Sequence, residues 1–334
     1  MARNIARLGV VAVILLLICR NACSAETVVK IPGSSTAYPF ITTLAQIFSL
    51  AHNNIAVIVE STGTGNGLQL FCSGDSDKYP DLASASRPIK SSEIKLCQRH
   101  NINNIIPIRY GYDGIIIANS NIDRQVNISR KELFLALAEK IPSKGKLIKN
   151  PFQKWSEINR ALPKINIELY GPAGTSGTRD EFNQIVMNES CGLFPEYKKD
   201  QAACQTIRND GKYIEIGNNE NLIIQKLFKN NQAFGIIGYN FYQNNNKSLL
   251  AVTVDGFQPT IDNIRSGRYP LSRPLFIYAK TRSQNDKLSN SVKLFLQTLT
   301  NVAIVGNDSS LVAKGLIPLP QIQLEEMQQL VAKY

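Results

Sequence analysis

Four times in this chain a short strand-like apolar run opens into a turn of glycine and hydroxyl residues. Thr27 to Ile31 leads into Gly33-Ser-Ser-Thr36, and Ile55 to Val59 into Glu60-Ser-Thr-Gly-Thr-Gly-Asn-Gly67. Asp81-Leu-Ala83 leads into Ser84-Ala-Ser-Arg-Pro-Ile89, and the alternating run Ile165, Ile167, Leu169 into Gly171-Pro-Ala-Gly-Thr-Ser-Gly-Thr178. Glycine, serine and threonine are ordinary turn formers, so one such turn says little. Their recurrence at strand ends says more. In doubly wound α/β sheets, ligands sit beyond the carboxyl ends of the strands, so four such turns gathered there would make a polar cleft.

The fourth turn is the most informative. Thr178 and Glu181 have capping-box spacing, which predicts a helix starting there. The first turn of a helix presents unpaired N–H groups and the positive end of its dipole, a ready cradle for an anion. No P-loop lysine follows, so the implied ligand is a small oxyanion rather than a nucleoside triphosphate.

Arg3 and Arg7 precede an apolar run from Leu8 to Ile18, and Ala22-Cys-Ser-Ala25 offers small residues for cleavage before Glu26. Residues 1–25 therefore read as a secretory signal peptide, too short to span a bilayer. Neither Cys19 nor Cys23 follows the leucine-then-small pattern of a lipidated cysteine, so soluble export to the periplasm is expected. Export leaves Cys72, Cys97, Cys191 and Cys204, which permit three pairings. Proximity in sequence favours Cys72–Cys97 and Cys191–Cys204, as structural disulfides in an oxidising space. No Cys-x-x-Cys spacing points to zinc, and His52 and His100 are isolated, so no metal and no cofactor are expected.

The mature chain of about 309 residues is long enough to divide into two domains. Its charge falls from +11 to +8 when Arg3, Arg7 and Arg20 leave with the leader. The remaining excess is scattered, for instance over Lys198-Lys199 and Lys144-Gly-Lys146. It can draw anions to a cleft, but no basic stripe interleaved with aromatics indicates a nucleic-acid surface. Strands are expected at Ile105 to Ile108, Gly114 to Ala118, Phe234 to Tyr239, Leu249 to Val254 and Leu275 to Ala279. Ser129 and Glu132 should cap a helix to about Glu139, and helices are expected at Asp286–Leu299 and Gln321–Ala332. The alternation of strands and helices indicates an α/β protein.

Enzyme signatures fail one by one. Gly63-Thr-Gly-Asn-Gly67 lacks the third glycine of a dinucleotide fingerprint, where Leu68 stands. Ser176 is not in a Gly-x-Ser-x-Gly elbow, and neither histidine lies near an apolar strand end. No carboxylate pair stands out for glycosidase chemistry. The residues offer a set for binding and none for catalysis.

Five segments together carry a resemblance: Gly33-Ser-Ser-Thr-Ala-Tyr-Pro-Phe40, Ala85-Ser-Arg-Pro-Ile-Lys90, Gly111-Tyr-Asp-Gly-Ile115, Gly177-Thr-Arg-Asp180 and Tyr269-Pro-Leu-Ser-Arg-Pro-Leu-Phe-Ile-Tyr278. In this set and order the chain resembles the periplasmic phosphate-binding proteins of Pst-type ABC transporters. The resemblance implies a type II, Venus-flytrap fold: two α/β domains, residues 26–112 plus 275–334 and residues 113–274, closing on a ligand between them. It implies binding of inorganic phosphate and delivery to an ABC permease by a monomer that is not an enzyme. Phosphate ligands carried over from the family fall on Ser35, Thr36, Thr64, Ser86, Arg87, Ser176, Gly177 and Thr178, with Thr175 beside them. Arg87 stands where better-known members carry an acidic residue, and Gly171-Pro-Ala173 where they carry an arginine. Arg87 is therefore expected to supply the positive charge, and Asp113 to accept the phosphate proton. Rival readings are another oxyanion (sulfate, molybdate or arsenate), a secreted phosphatase, or an adhesion protein on the same fold.

Overall fold

The computed structural model describes residues 27–120, 125–217, 219–281 and 287–334. The leader segment with Cys19 and Cys23, and Asp286, lie outside the described residues. The strands that position the site are β1 (Thr27–Gly33), β2 (Ile55–Ser61), β3 (Leu82–Ala85), β4 (Ile105–Asn119), β5 (Leu169–Gly171), β6 (Tyr213–Glu215), β7 (Phe234–Gly238), β8 (Leu250–Ala251) and β9 (Ser272–Lys280). They form one sheet in the order β2-β1-β3-β9-β4-β7-β5-β6, with β8 also paired to β4.

The expected strands at 105–108 and 114–118 are one continuous strand of 15 residues. Its first part, Ile105 to Gly114, runs antiparallel to β9; from Ile115 to Ala118 it pairs with β7 instead. This change of partner divides the molecule into two α/β lobes: β1, β2, β3 and β9 in the first, β5, β6, β7 and β8 in the second. Gly111 and Gly114 disguise the continuity, because glycine ordinarily weakens a strand. Pro274, inside β9, costs no ladder bond. It faces Tyr112, whose N–H and C=O both pair with Ile317 (2.8 and 2.9 Å). Residues Ile115 to Ala118 are all buried, as expected for a strand covered on both faces.

Helix α1 (Tyr38–Ala51) begins with Pro39 in its first turn and buries Phe40, Ile41, Leu44, Ala45 and Phe48 on one face. Helix α2 (Thr64–Phe71) starts earlier than the glycine-rich sequence suggests. Gly33, at φ 147°, and Gly67 make this possible: a Cβ on Gly67 would lie 2.4 Å from the Gly33 Cα, so the helix rests directly on the end of β1. Helices α3 (Ser91–Arg99) and α4 (Arg130–Leu137) follow, the latter with the expected capping box of Ser129 and Glu132. Further helices are α5 (Gly177–Phe182), α6 (Glu220–Lys229), α7 (Tyr239–Asn245), α8 (Asn290–Leu299), α9 (Ser310–Ala313) and α10 (Gln321–Lys333). The alternating run at 165–169 contributes only its end to the sheet, as β5, with Asn166 making an isolated bridge to Lys154. Leu249 to Val254 yields two short strands, Leu250–Ala251 and Thr253–Val254.

Cys72 and Cys97 are bonded, as are Cys191 and Cys204. Cys72 and Cys97 sit in a small core with Leu68, Phe71 and Ile102, tying the end of α2 to α3.

Candidate functional site

The turns after β1 and β5 face each other between the lobes. They line a cleft of about 810 Å³ together with Ser61, Asp113, Glu220, Gly238 and residues of the α1, α7 and α9 ends. Of the residues named from the sequence, Ser35, Thr36, Thr175, Ser176, Gly177 and Thr178 line this cleft. Thr64, Ser86 and Arg87 are not among its lining residues. Thr64 Oγ1 is 3.2 Å from Ser86 Oγ and accepts the Ser86 N–H, while Ser86 Oγ accepts from the Arg273 guanidinium (3.1 Å). A second hollow of about 540 Å³ beside the Cys191–Cys204 disulfide receives none of the four turns.

Helix α5 starts at Ser176, but not through the expected capping box. The Thr178 hydroxyl donates to Glu220 Oε1 (2.8 Å), and Glu181 turns inward. Tertiary partners outbid the local cap. The helical path continues as a π-turn over Asn183–Asn188, so α5 is the first part of a longer helical segment. Its leading N–H groups have no intrahelical acceptors.

The two turns touch. Ser35 donates its hydroxyl to Asp180 Oδ2 (3.0 Å), and a Cβ on Gly177 would stand 2.9 Å from the Ser35 carbonyl oxygen. Only a glycine lets the backbones approach this closely.

Arg87 is occupied elsewhere. Its two terminal nitrogens donate to Glu93 at 2.9 and 2.7 Å. Burial alone would raise the Glu93 carboxyl; the Arg87 guanidinium and the Lys90 N–H outweigh it and hold it below its usual range. The arginine beside the cleft is Arg273, at the start of β9 and opposite Asp113 in register. It forms an ion pair with Glu181, which is fully buried, and donates to the Glu181 carbonyl oxygen (3.0 Å) and to Ser86. It thus ties the third turn of the first lobe to α5 of the second.

Three carboxyls surround this arginine and the cleft. Burial pushes Glu181 well above the ordinary carboxylate range, with Arg273 pulling the other way and Asp113 adding to the rise. Asp113 is raised by burial too, moderated by its hydrogen bond with Glu181, the Gly114 N–H and Arg273. Two buried carboxyls beside a single arginine each make ionisation of the other more costly. Glu220, 5% exposed, is pushed to about 7 by burial, although the Gly238 N–H (2.6 Å) and the Thr178 hydroxyl favour its ionised form.

Sequence reasoning missed Arg273, Glu181, Glu220 and Asp180 as parts of this site. Arg273 lay in the Tyr269–Tyr278 segment without an assigned role, Glu181 had been assigned to a cap, and nothing local marks Glu220.

A family model described as the PBP superfamily domain matches residues 21–301. The chain is 30% identical over 272 residues to a phosphate-binding protein PstS of Staphylococcus epidermidis, covering 79% of this chain and 73% of that protein. It is 28% identical over 309 residues to protein SphX of Synechococcus elongatus, covering 90% and 80%. Among solved structures it is similar to one described as a possible phosphate binding protein from Planctomyces limnophilus. The TM-score is 0.74 at 27% identity, covering 93% of this chain and 99% of that one.

Proposed function

This chain belongs to the PBP superfamily, and from that premise we propose that it is an exported binding protein for inorganic phosphate, which it delivers to an ABC-type permease. The observation that carries the reading is the meeting of the Ser35-Thr36 and Ser176-Gly177-Thr178 turns across one interlobe cleft. We assign the ligand contacts to these residues and to the N–H groups that open α5, with Thr175 at their edge. Arg273, not Arg87, is the arginine beside the cleft, and it holds Ser86 and α5 in place rather than supplying the bare charge expected of Arg87. The lobes are read as residues 26–112 plus 275–334 and residues 113–274, a division supported by the change of partner along β4.

The site chemistry favours an oxyanion that carries a proton. A hydroxyl has one hydrogen to give. Thr178 gives its hydrogen to Glu220 and Ser35 gives its own to Asp180, so both oxygens turn lone pairs toward the cleft. Hydrogen phosphate can donate to such an oxygen; fully ionised sulfate cannot, and would face lone pair against lone pair. Arsenate has the same proton as phosphate and is not separated by this device. The ligand proton is thus assigned to these hydroxyl oxygens rather than to Asp113, which also lines the cleft. The two disulfides fit an oxidising compartment outside the cytoplasm.

The test is thermal unfolding of the mature protein with millimolar phosphate, alongside incubation with a generic phosphate ester. A binder is stabilised in proportion to ligand excess over Kd, about 2.7 kcal/mol at a hundredfold excess, and releases no product. An unmoved Tm would overturn the reading, and ester turnover would replace it with a hydrolase.

A further inference from the structure

In the inner part of the cleft Ser35 and Thr178 already give their hydrogens to Asp180 and Glu220, whereas the polar groups at its mouth are uncommitted. Toward solvent the cleft is lined by Tyr38, Pro39 and Lys314 of the first lobe and Asn240 and Phe241 of the second. Among the described residues the Tyr38 hydroxyl, the Asn240 amide and the Lys314 ammonium make no hydrogen bond or ion pair, and Tyr38 is 39% exposed.

The space is not that of a gaping hinge. The lobes meet at Ser35–Asp180 and again where Gly315 packs on Asn240, a Cβ there falling 2.9 Å from the Asn240 side chain. With both contacts made, a cleft of about 810 Å³ remains. That lies in the range of roughly 300–1,000 Å³ that houses drug-sized molecules, far more than the five non-hydrogen atoms of orthophosphate require. The mouth combines two aromatic faces, a proline, an amide and one unpaired cation, a set suited to a short organic stem ending in an anion.

We propose that the mouth is a second subsite, and that the cleft also takes phosphonates or phosphate monoesters whose short substituent carries a carboxylate, with Lys314 meeting that second charge. This rests on the reading of the inner turns as an oxyanion site. The phosphorus oxyanion sits on the inner turns, as orthophosphate does, and no covalent step is involved.

The experiment compares orthophosphate, phosphonoacetate and ethylphosphonate by isothermal titration, at one pH, on the wild-type mature protein and on Lys314→Met, which keeps the apolar stem. Wild type should bind phosphonoacetate about fivefold or more tightly than ethylphosphonate, as for a charge-assisted contact at a partly exposed site. Lys314→Met should erase that preference while orthophosphate affinity stays within about twofold, since exposed charges act weakly at a distance. Orthophosphate binding without phosphonoacetate binding would overturn the subsite and leave the phosphate reading standing. So would a preference absent from wild type or surviving in Lys314→Met. Binding of neither ligand would overturn the phosphate reading itself, and the subsite with it.

Discussion

At the scale of single residues the site is governed by where each hydrogen and each charge is already committed. Arg273 and Arg87 make the contrast. Removing Arg273 strands Glu181, which is fully buried, whereas removing Arg87 leaves Glu93 partly exposed and still bonded to the Lys90 N–H (2.7 Å). Breaking a buried pair from one side costs about 3–5 kcal/mol, and losing one charged hydrogen-bond partner about 1.5–3 kcal/mol. Arg273→Ala should therefore lower stability in urea unfolding by the larger amount, and weaken phosphate binding about tenfold or more because Ser86 and α5 lose their tie. Arg87→Ala should leave phosphate affinity within about threefold, its pair lying outside the cleft. An equal loss of affinity in both variants would return Arg87 to the site. The sequence made Arg87 conspicuous through its motif, but a motif does not reveal that Glu93, six residues on, satisfies the guanidinium. Nor does it reveal that Glu181 turns inward while Thr178 finds Glu220, at the start of α6 in the same lobe.

At the scale of elements, the turns were legible and their neighbours less so. Strand followed by a glycine and hydroxyl turn is a local pattern, and the β1 and β5 turns lie where it places them. The continuity of β4 was hidden, because Gly111 and Gly114 read as breaks and the strand is held by partners far away in sequence: β9, Ile317 and β7. The start of α5 was legible as a helix start, though not its wiring. The approach of this turn to the first lobe gives an element-scale prediction. In Gly177→Ala the new methyl would meet the Ser35 carbonyl oxygen at 2.9 Å and the Thr36 nitrogen at 3.2 Å, both backbone atoms of the opposite lobe. Overpacking of this kind costs about 1–3 kcal/mol, here charged against closure, since each lobe can keep its own fold while the gap widens. Phosphate affinity should fall about tenfold or more, with far-ultraviolet circular dichroism unchanged. Unaltered affinity would show that the two turns need not approach for binding.

At the scale of the whole molecule, a ligand between lobes stabilises closure only through contacts that it makes in the closed form. Here the facing turns supply such contacts from both sides, and β4 and β9 carry the chain between lobes without a flexible linker. The two-lobed α/β architecture was legible from chain length, alternation of elements and the five segments of resemblance. The balance of charge was not. The excess of +8 left after the leader's three arginines are taken from +11 suggested attraction of an anion by bare positive charge. Yet the cleft is bordered by Asp113, Glu181 and Glu220 with Arg273 already paired. Anion binding in such a place must come from helix N–H groups and from the ligand's own proton, which makes selectivity the sharpest test. The measurement is isothermal titration of the mature protein with orthophosphate and with sulfate at pH 8, above the value of about 7 to which burial raises Glu220, so that its ionised carboxylate holds the Thr178 hydrogen. The expected result is one orthophosphate bound per chain and sulfate weaker by about a hundredfold or more, the discrimination given by a misplaced lone pair in a buried polar site. Sulfate binding as tightly as orthophosphate, or no orthophosphate binding at all, would contradict it.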